Sequence, residues 1–359
     1  MTQPPVRYAD DVETIADEER DTHRQLNDTF DVILERTAAD YGHAVRSVHA
    51  KAHGILKGQM TIDEGLPPEL AQGLFATPGS HDVLLRLSTN AGDLLPDVIS
   101  LPRGLAMKVL GVTGDRLPDA DGDTQDFVMV NGPVFQAKTA EKFLGNLKLL
   151  AKTTDRIEAG KTAISAVLRG VHHALEAVGT KIAAVDSLGG APNVDPLGET
   201  YYSATPFRYG DHIAKFSLVP VAPDQTALTG RIVEVDGREN AIREDVRDEM
   251  RTLDATWEFR VQLCRDLDKQ PVEDPTTEWK EEDSPFVRVA TVRVPAQDSW
   301  DEATVRAVNE EMRFSVWTGL AAHRPLGNIN RARRDTYRHS ADFRARFNGC
   351  PYHEPAAQE

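Results

Sequence analysis

The pattern that most restricts this chain is a succession of β-branched runs with no helix of crossover length between them. VLLRLST, residues 83–89, is bounded by Pro78-Gly79-Ser80 and by Asn90-Ala91-Gly92, the residue types that end strands. Before it, VRSVHAKAHGILKGQMTI (45–62) predicts a long strand with a glycine bend. After it come LAMKVLGV (105–112) and DFVMVNGPVF (126–135). Parallel strands need crossovers of a dozen residues or more, so four such runs joined by loops predict an antiparallel sheet. None is followed by a phosphate-binding glycine loop. A second cluster follows a helical stretch (137–185) and a Pro/Gly-rich loop (188–200): TPFRYGDHIAKFSLVPV, TWEFRVQLC and FVRVATVRV. In TWEFRVQLC, Trp257, Phe259, Val261 and Leu263 alternate onto one face. Seven or eight antiparallel strands in two clusters, with helices between and after them, predict an α+β fold: a closed barrel of about eight strands carrying a helical layer.

Composition narrows the partners. The chain has 359 residues and a formal net charge of −16, which repels nucleic acid and anionic membrane at long range. A small neutral or lipophilic substrate is easier to accommodate. Cys264 and Cys350, the two cysteines, lie far apart with no neighbouring Cys/His pattern, so neither a disulfide framework nor a zinc site is expected. His172 and His173 are adjacent and point to different sides of a helix, which favours solvent or packing over a metal. Residues 1–40 form an acidic leader and a helical arm, with 41–359 as the body. With no signal-like or membrane-length apolar run, the expected location is the cytoplasm.

Chemistry appears first near the C-terminus, in RPLGNINRARRDTYRHSADFRARF (324–347). If this stretch is helical, Arg333, Tyr337 and Arg344 fall at steps of four and seven residues and share a face. Two guanidiniums then flank one phenol. A phenol ionises near pH ~10, and a neighbouring cation favours the phenolate, a hard ligand suited to ferric iron. A tyrosine among arginines serves equally as a packing or cation–π contact, and the helix alone does not choose.

Separate blocks in one order make the choice. Arg46-Ser47-Val48-His49-Ala50-Lys51, Arg86-Leu87-Ser88-Thr89, Pro102-Arg103-Gly104-Leu105-Ala106-Met107-Lys108, Val130-Asn131-Gly132-Pro133-Val134-Phe135 and the late helix (327–347) together resemble the haem catalases, most of all their minimal, catalase-related form. The resemblance covers about 45–347. It implies haem b held without a covalent bond, with His49 as the distal acid/base and Ser88 the hydroxyl that orients it. Arg46, Arg86 and Arg344 would meet the propionates, and Tyr337 would be the axial iron ligand with Arg333 beside it. Asn131 would be the amide that positions peroxide, although alignment on Pro133 places Val130 there instead. The chain departs from the family in carrying Arg338 and His339, not proline, after the tyrosine.

What the resemblance implies is a peroxide-consuming oxidoreductase, acting as a catalase on hydrogen peroxide or as a peroxidase on organic hydroperoxides. Two alternatives stay open. One is the allene oxide synthase branch, which rearranges fatty-acid hydroperoxides and carries threonine where Val48 stands. The other is a haem-binding protein without turnover. The long C-terminal region of larger relatives is missing from this sequence, so no bound NADPH and a more open route to the haem edge are expected. A homo-oligomer is compatible with the resemblance.

Overall fold

The computed structural model describes residues 3–154 and 191–355. Nine strands form one sheet: β1 Ala52–Ile62, β2 Gly79–Thr89, β3 Arg103–Val109, β4 Gln125–Val130, β5 Tyr201–Tyr202, β6 Phe207–Tyr209, β7 His212–Pro220, β8 Ala255–Leu263 and β9 Val287–Val294. Their order is β5-β4-β3-β2-β1-β9-β8-β7-β6. Tyr202 pairs with Val130 of β4 and also with Ser217 of β7. Eight antiparallel strands therefore close into a barrel, and β6 extends β7 as a hairpin. Closure removes the unpaired edges that an open sheet would expose.

Period-two alternation decides what each strand shows to either side. Leu85 and Leu87, Leu105 and Met107, Phe127 and Met129, and Trp257, Phe259 and Val261 all fill the barrel. At its centre the ring of Phe127 lies 4.7 Å from that of Phe259 and 5.0 Å from that of Phe216, separations at which aromatic pairs attract. Truncating one of these rings to alanine costs about 3–5 kcal/mol. The alternate residues Arg86, Ser88, Gly104, Ala106 and Val128 occupy the other face, and that outer wall is where the site forms.

Helices cover it: α1 Glu19–Tyr41, α2 Ala140–Thr154, α3 Ala241–Met250, α4 Glu302–Glu310 and α5 Asn328–Asn348. Leu26 and Phe30 of α1, Leu144 and Leu147 of α2, and Ile329 and Ala332 of α5 make an apolar cluster separate from the barrel interior. Arg331 ties the N-terminal arm to α5 through Glu13, Glu19 and Glu273, at 2.6, 2.6 and 2.9 Å. The first amides of the α5 segment, Gly327 and Asn328, donate to Glu13 and Glu273, carboxylates placed where the helix dipole favours them. At its other end Gly349 takes a left-handed φ of 63°, the usual stop signal. No helix among the described residues is long and apolar enough to cross a membrane.

Two expectations need adjustment. The strand expected over 45–62 begins only at Ala52, because His49 has a φ of 53° and the extended ladder cannot run through it. Residues 45–51 form a bent loop instead. Part of the helical stretch expected over 137–185 is α2; the remainder, including His172 and His173, lies outside the described residues.

Candidate active site

The loop before β1, the outer faces of β2, β3 and β4, and one face of α5 line a shared cavity. Its lining includes Arg46, His49, Arg86, Ser88, Gly104, Ala106, Tyr337 and Arg344. Residues 291 positions apart in the chain, Arg46 and Tyr337, thus share one chamber.

His49 is fixed from three sides. Its backbone amide donates to Asn90 O at 3.2 Å, and that of Ala50 to Ala91 O at 2.8 Å. These bonds hold a left-handed conformation that costs a residue with a Cβ about 1–2 kcal/mol. The ring rests on Gly104, where a Cβ would lie 2.4 Å from His49 Cε1, so β3 needs glycine there. Nδ1 is 3.1 Å from Ser88 Oγ. Among the described residues Nε2 has no protein partner, and the ring faces the cavity. Burial, with the charges of Arg86, Arg333 and Arg46, pushes the imidazole down to about 3. At neutral pH it is a neutral ring able to accept a proton.

Arg46, Arg86 and Arg344 form a buried cationic group with no ion pair to a carboxylate among the described residues. Their partners are the carbonyls at the end of α4. Asn309 O accepts from Arg46 at 2.9 Å and Arg344 at 2.8 Å, and Met312 O from the same pair at 3.1 and 2.8 Å. Val308 O takes Arg46, and Asn309 Oδ1 takes Arg86 Nε at 2.8 Å. These are the carbonyls a helix leaves unpaired at its negative end. They supply hydrogen bonds but no full negative charge. Burial lowers all three guanidiniums, and for Arg46 and Arg86 the neighbouring arginines lower them further; Arg86 is pushed down to about 9. A ligand bringing carboxylates would meet unspent donors and uncompensated charge.

Tyr337 faces the same space from α5. Its hydroxyl makes no hydrogen bond among the described residues, so it is free to approach whatever fills the cavity. Arg333, expected beside that phenol, donates to Asn330 Oδ1 at 3.2 Å and Thr205 Oγ1 at 3.4 Å, and its guanidinium stands 5.3 Å over the Phe135 ring. It lines a second, larger cavity that meets the first at Ser47, Val48, His49 and Tyr337. Asn131 and Val130 both line this second space. The Asn131 carboxamide is largely engaged: Oδ1 accepts from Arg103 N at 2.8 Å and Nδ2 donates to Glu199 Oε2 at 2.9 Å. One N–H remains for a ligand.

Sequence reasoning did not find Asn309, Met312, Arg313 or Phe314. The first two act through α4-end acceptors that no motif marks, and the last two line the arginine cavity from a loop without periodicity.

No family model matches the chain, and no curated protein does. Solved structures do. A fungal catalase superposes with a TM-score of 0.59 at 16% identity, covering 87% of this chain and 61% of its own. Catalase A from Saccharomyces cerevisiae gives 0.58 at 16% identity, with 91% and 69% covered. A bacterial catalase gives 0.57 at 16% identity, with 90% and 63% covered. The fold is catalase-like. The chain spans between 61% and 69% of the length of these catalases, and the likeness is one of fold. Arg86 on the outer wall of the barrel, Arg46 and His49 on the loop before β1, and Tyr337 and Arg344 on α5 all face one cavity.

Proposed function

We propose that this chain is a haem-dependent, peroxide-consuming oxidoreductase, a catalase or a peroxide-dependent peroxidase. The observation that carries the proposal is the unpartnered side chains that converge on one cavity: a phenol from α5, an imidazole nitrogen from the loop before β1, and three guanidiniums without carboxylates. These residues fit haem b. Arg46, Arg86 and Arg344 would hold its two propionates, the Tyr337 oxygen would ligate the iron, and Gly104 leaves room for the His49 ring against the barrel wall. Bound there, haem supplies the redox-active iron at which a peroxide O–O bond is broken.

The remaining steps belong to the chain. His49 Nε2, neutral at working pH, accepts the proton that the inner peroxide oxygen loses and delivers it to the outer oxygen, which leaves as water from hydrogen peroxide or as ROH from an organic hydroperoxide. Ser88 fixes the ring, and the free N–H of Asn131 can hold the peroxide in line. Two hydrogen peroxide molecules then yield two waters and one O₂. An organic hydroperoxide ROOH yields ROH and water, with two electrons and two protons from an organic donor.

The test is the absorption spectrum of the purified protein followed by a peroxide assay. A Soret band with O₂ release from hydrogen peroxide marks a catalase, and donor oxidation without O₂ marks a peroxidase. A haem-loaded protein that turns over neither hydrogen peroxide nor cumene hydroperoxide is a carrier, and the proposal fails.

A further inference from the structure

We infer that the second cavity is a seat for the hydrocarbon part of a neutral organic hydroperoxide, whose peroxide group it delivers to His49. The inference deepens the haem reading above and rests on it. The two cavities have different walls. The smaller ends on the arginines, whereas the larger runs from His49 beneath the helices. There it is lined by Leu26 and Phe30 of α1, Phe143 of α2, Ile329 and Ala332 of α5, and Phe135.

Polarity is graded along it. Asn90, whose carbonyl holds the His49 amide, and Asn131, bonded to Arg103 at the start of β3, lie at the strand end. Toward the helices the walls are apolar, and Arg333, stacked on Phe135, is the one charged side chain among the described lining residues. Arg333 is already taken up by Asn330, Thr205 and the Phe135 ring, and the rest of the described wall carries no charge, so the fitting ligand is an uncharged aryl or alkyl group. Apolar space of this kind does not hold water well, and leaving it empty forgoes the contacts that packed side chains make. Hydrogen peroxide needs none of this room. Its lining, mostly hydrophobic and aromatic with a few placed polar groups, is of the kind that takes an apolar ligand.

The substitution Leu26→Trp fills the apolar end from a buried position without touching His49, Tyr337 or the arginines. Two measurements use the protein as purified. Calorimetric titration with cumyl alcohol, the unreactive product, reads the seat without turnover. The second compares KM for cumene hydroperoxide and hydrogen peroxide, with a phenol as electron donor. The expected result is at least tenfold weaker cumyl alcohol binding in Leu26→Trp. KM for cumene hydroperoxide should rise at least tenfold, while KM for hydrogen peroxide and the Soret band stay within twofold of the parent. Should Leu26→Trp fail to fold, Phe143→Trp, at a half-buried position, repeats both. Equal cumyl alcohol affinity in parent and variant overturns the inference, as does a KM change shared by the two peroxides. A parent protein with no Soret band would instead overturn the haem reading, and the alcohol titration would still decide the seat.

Discussion

Arg86→Met separates a ligand-binding arginine from a structural one. Removing one partner of a buried ion pair usually costs about 3–5 kcal/mol, because the other charge is stranded. Arg86 has no such partner: its bonds go to Asn309 Oδ1 and Ala50 O. Burial and Arg344 bring it down to about 9 from an ordinary ~12.5, which at about 1.4 kcal/mol per tenfold step amounts to roughly 5 kcal/mol against the charged form. The two charge-assisted bonds lost with it are worth roughly 1.5–3 kcal/mol each. The terms nearly cancel, so the haem-free variant should unfold in urea within about 2 kcal/mol of the parent. Haem binding should weaken by about 2–3 kcal/mol, or roughly 30- to 160-fold, since a guanidinium–carboxylate contact is lost. Urea unfolding of the haem-free protein and spectrophotometric haem titration measure the two quantities. A variant destabilised by more than about 4 kcal/mol, with haem affinity unchanged, would show that Arg86 serves the fold alone.

Asn309→Asp should have the reverse signature, since a carboxylate at the position that already accepts from Arg86 and Arg46 competes with the ligand: the haem-free protein melts higher and haem binds at least tenfold more weakly. Tyr337→Phe should lose haem or its ligand-to-iron charge-transfer band, and an unchanged spectrum would mean that another residue holds the iron. Gly104→Ala should fold with little change in melting temperature yet lose tenfold or more in kcat for peroxide, because its Cβ would displace the His49 ring. The pH dependence of stability has a specific source: His49 and His323 are pushed down to about 3 and about 4 by burial, and His53 is likewise held well below its ordinary value. Unfolding lets them take up protons, so their contribution is complete above about pH 6.5 and falls with acidification, by up to about 1.4 kcal/mol per pH unit for each. Neither His53 ring nitrogen has a partner, so His53→Leu should flatten that slope by about one histidine's share; Asp126, raised to about 7 by burial and acting in the opposite sense, is common to both proteins and drops out of the difference.

Long alternating strands were legible because one face of each fills the barrel and the other does not. The period of two over 256–264 assigned Trp257, Phe259, Val261 and Leu263 correctly to the interior. β5 was not legible, since two residues carry no period, yet its pairings close the ring. The late helix was placed within a residue of its observed start and end, because glycines bracket it. The backbone at His49 was not legible: β-branched neighbours suggested extension, and only the contacts to residues 90 and 91 reveal the left-handed bend. Spacing fixes the face a residue takes on a helix, not its contacts. Helical geometry puts Arg333 one turn from Tyr337, while its direction is set by Thr205, Asn330 and Phe135, which arrive from elsewhere in the chain.

A chain with a net charge of −16 has carboxylates to spare, and burying three guanidiniums without one therefore needs a reason. Elsewhere in this chain two buried lysines are paired, Lys51 with Asp97 at 2.6 Å and Lys108 with both Asp126 and Glu354, while the buried Arg103 and Lys215 donate singly to neutral acceptors. Around Arg46, Arg86 and Arg344 it uses neutral carbonyls at the end of α4, with Glu310 close enough to act on all three but turned to His43. A carboxylate inside the cluster would satisfy the arginines permanently and leave nothing for a ligand. Neutral acceptors fix the geometry and keep the charge available. The same logic applies to the left-handed His49 and the unpartnered Tyr337 hydroxyl, each locally unfavourable or idle and each facing the same space. Independent departures from local preference that converge on one cavity are what a binding site costs a fold.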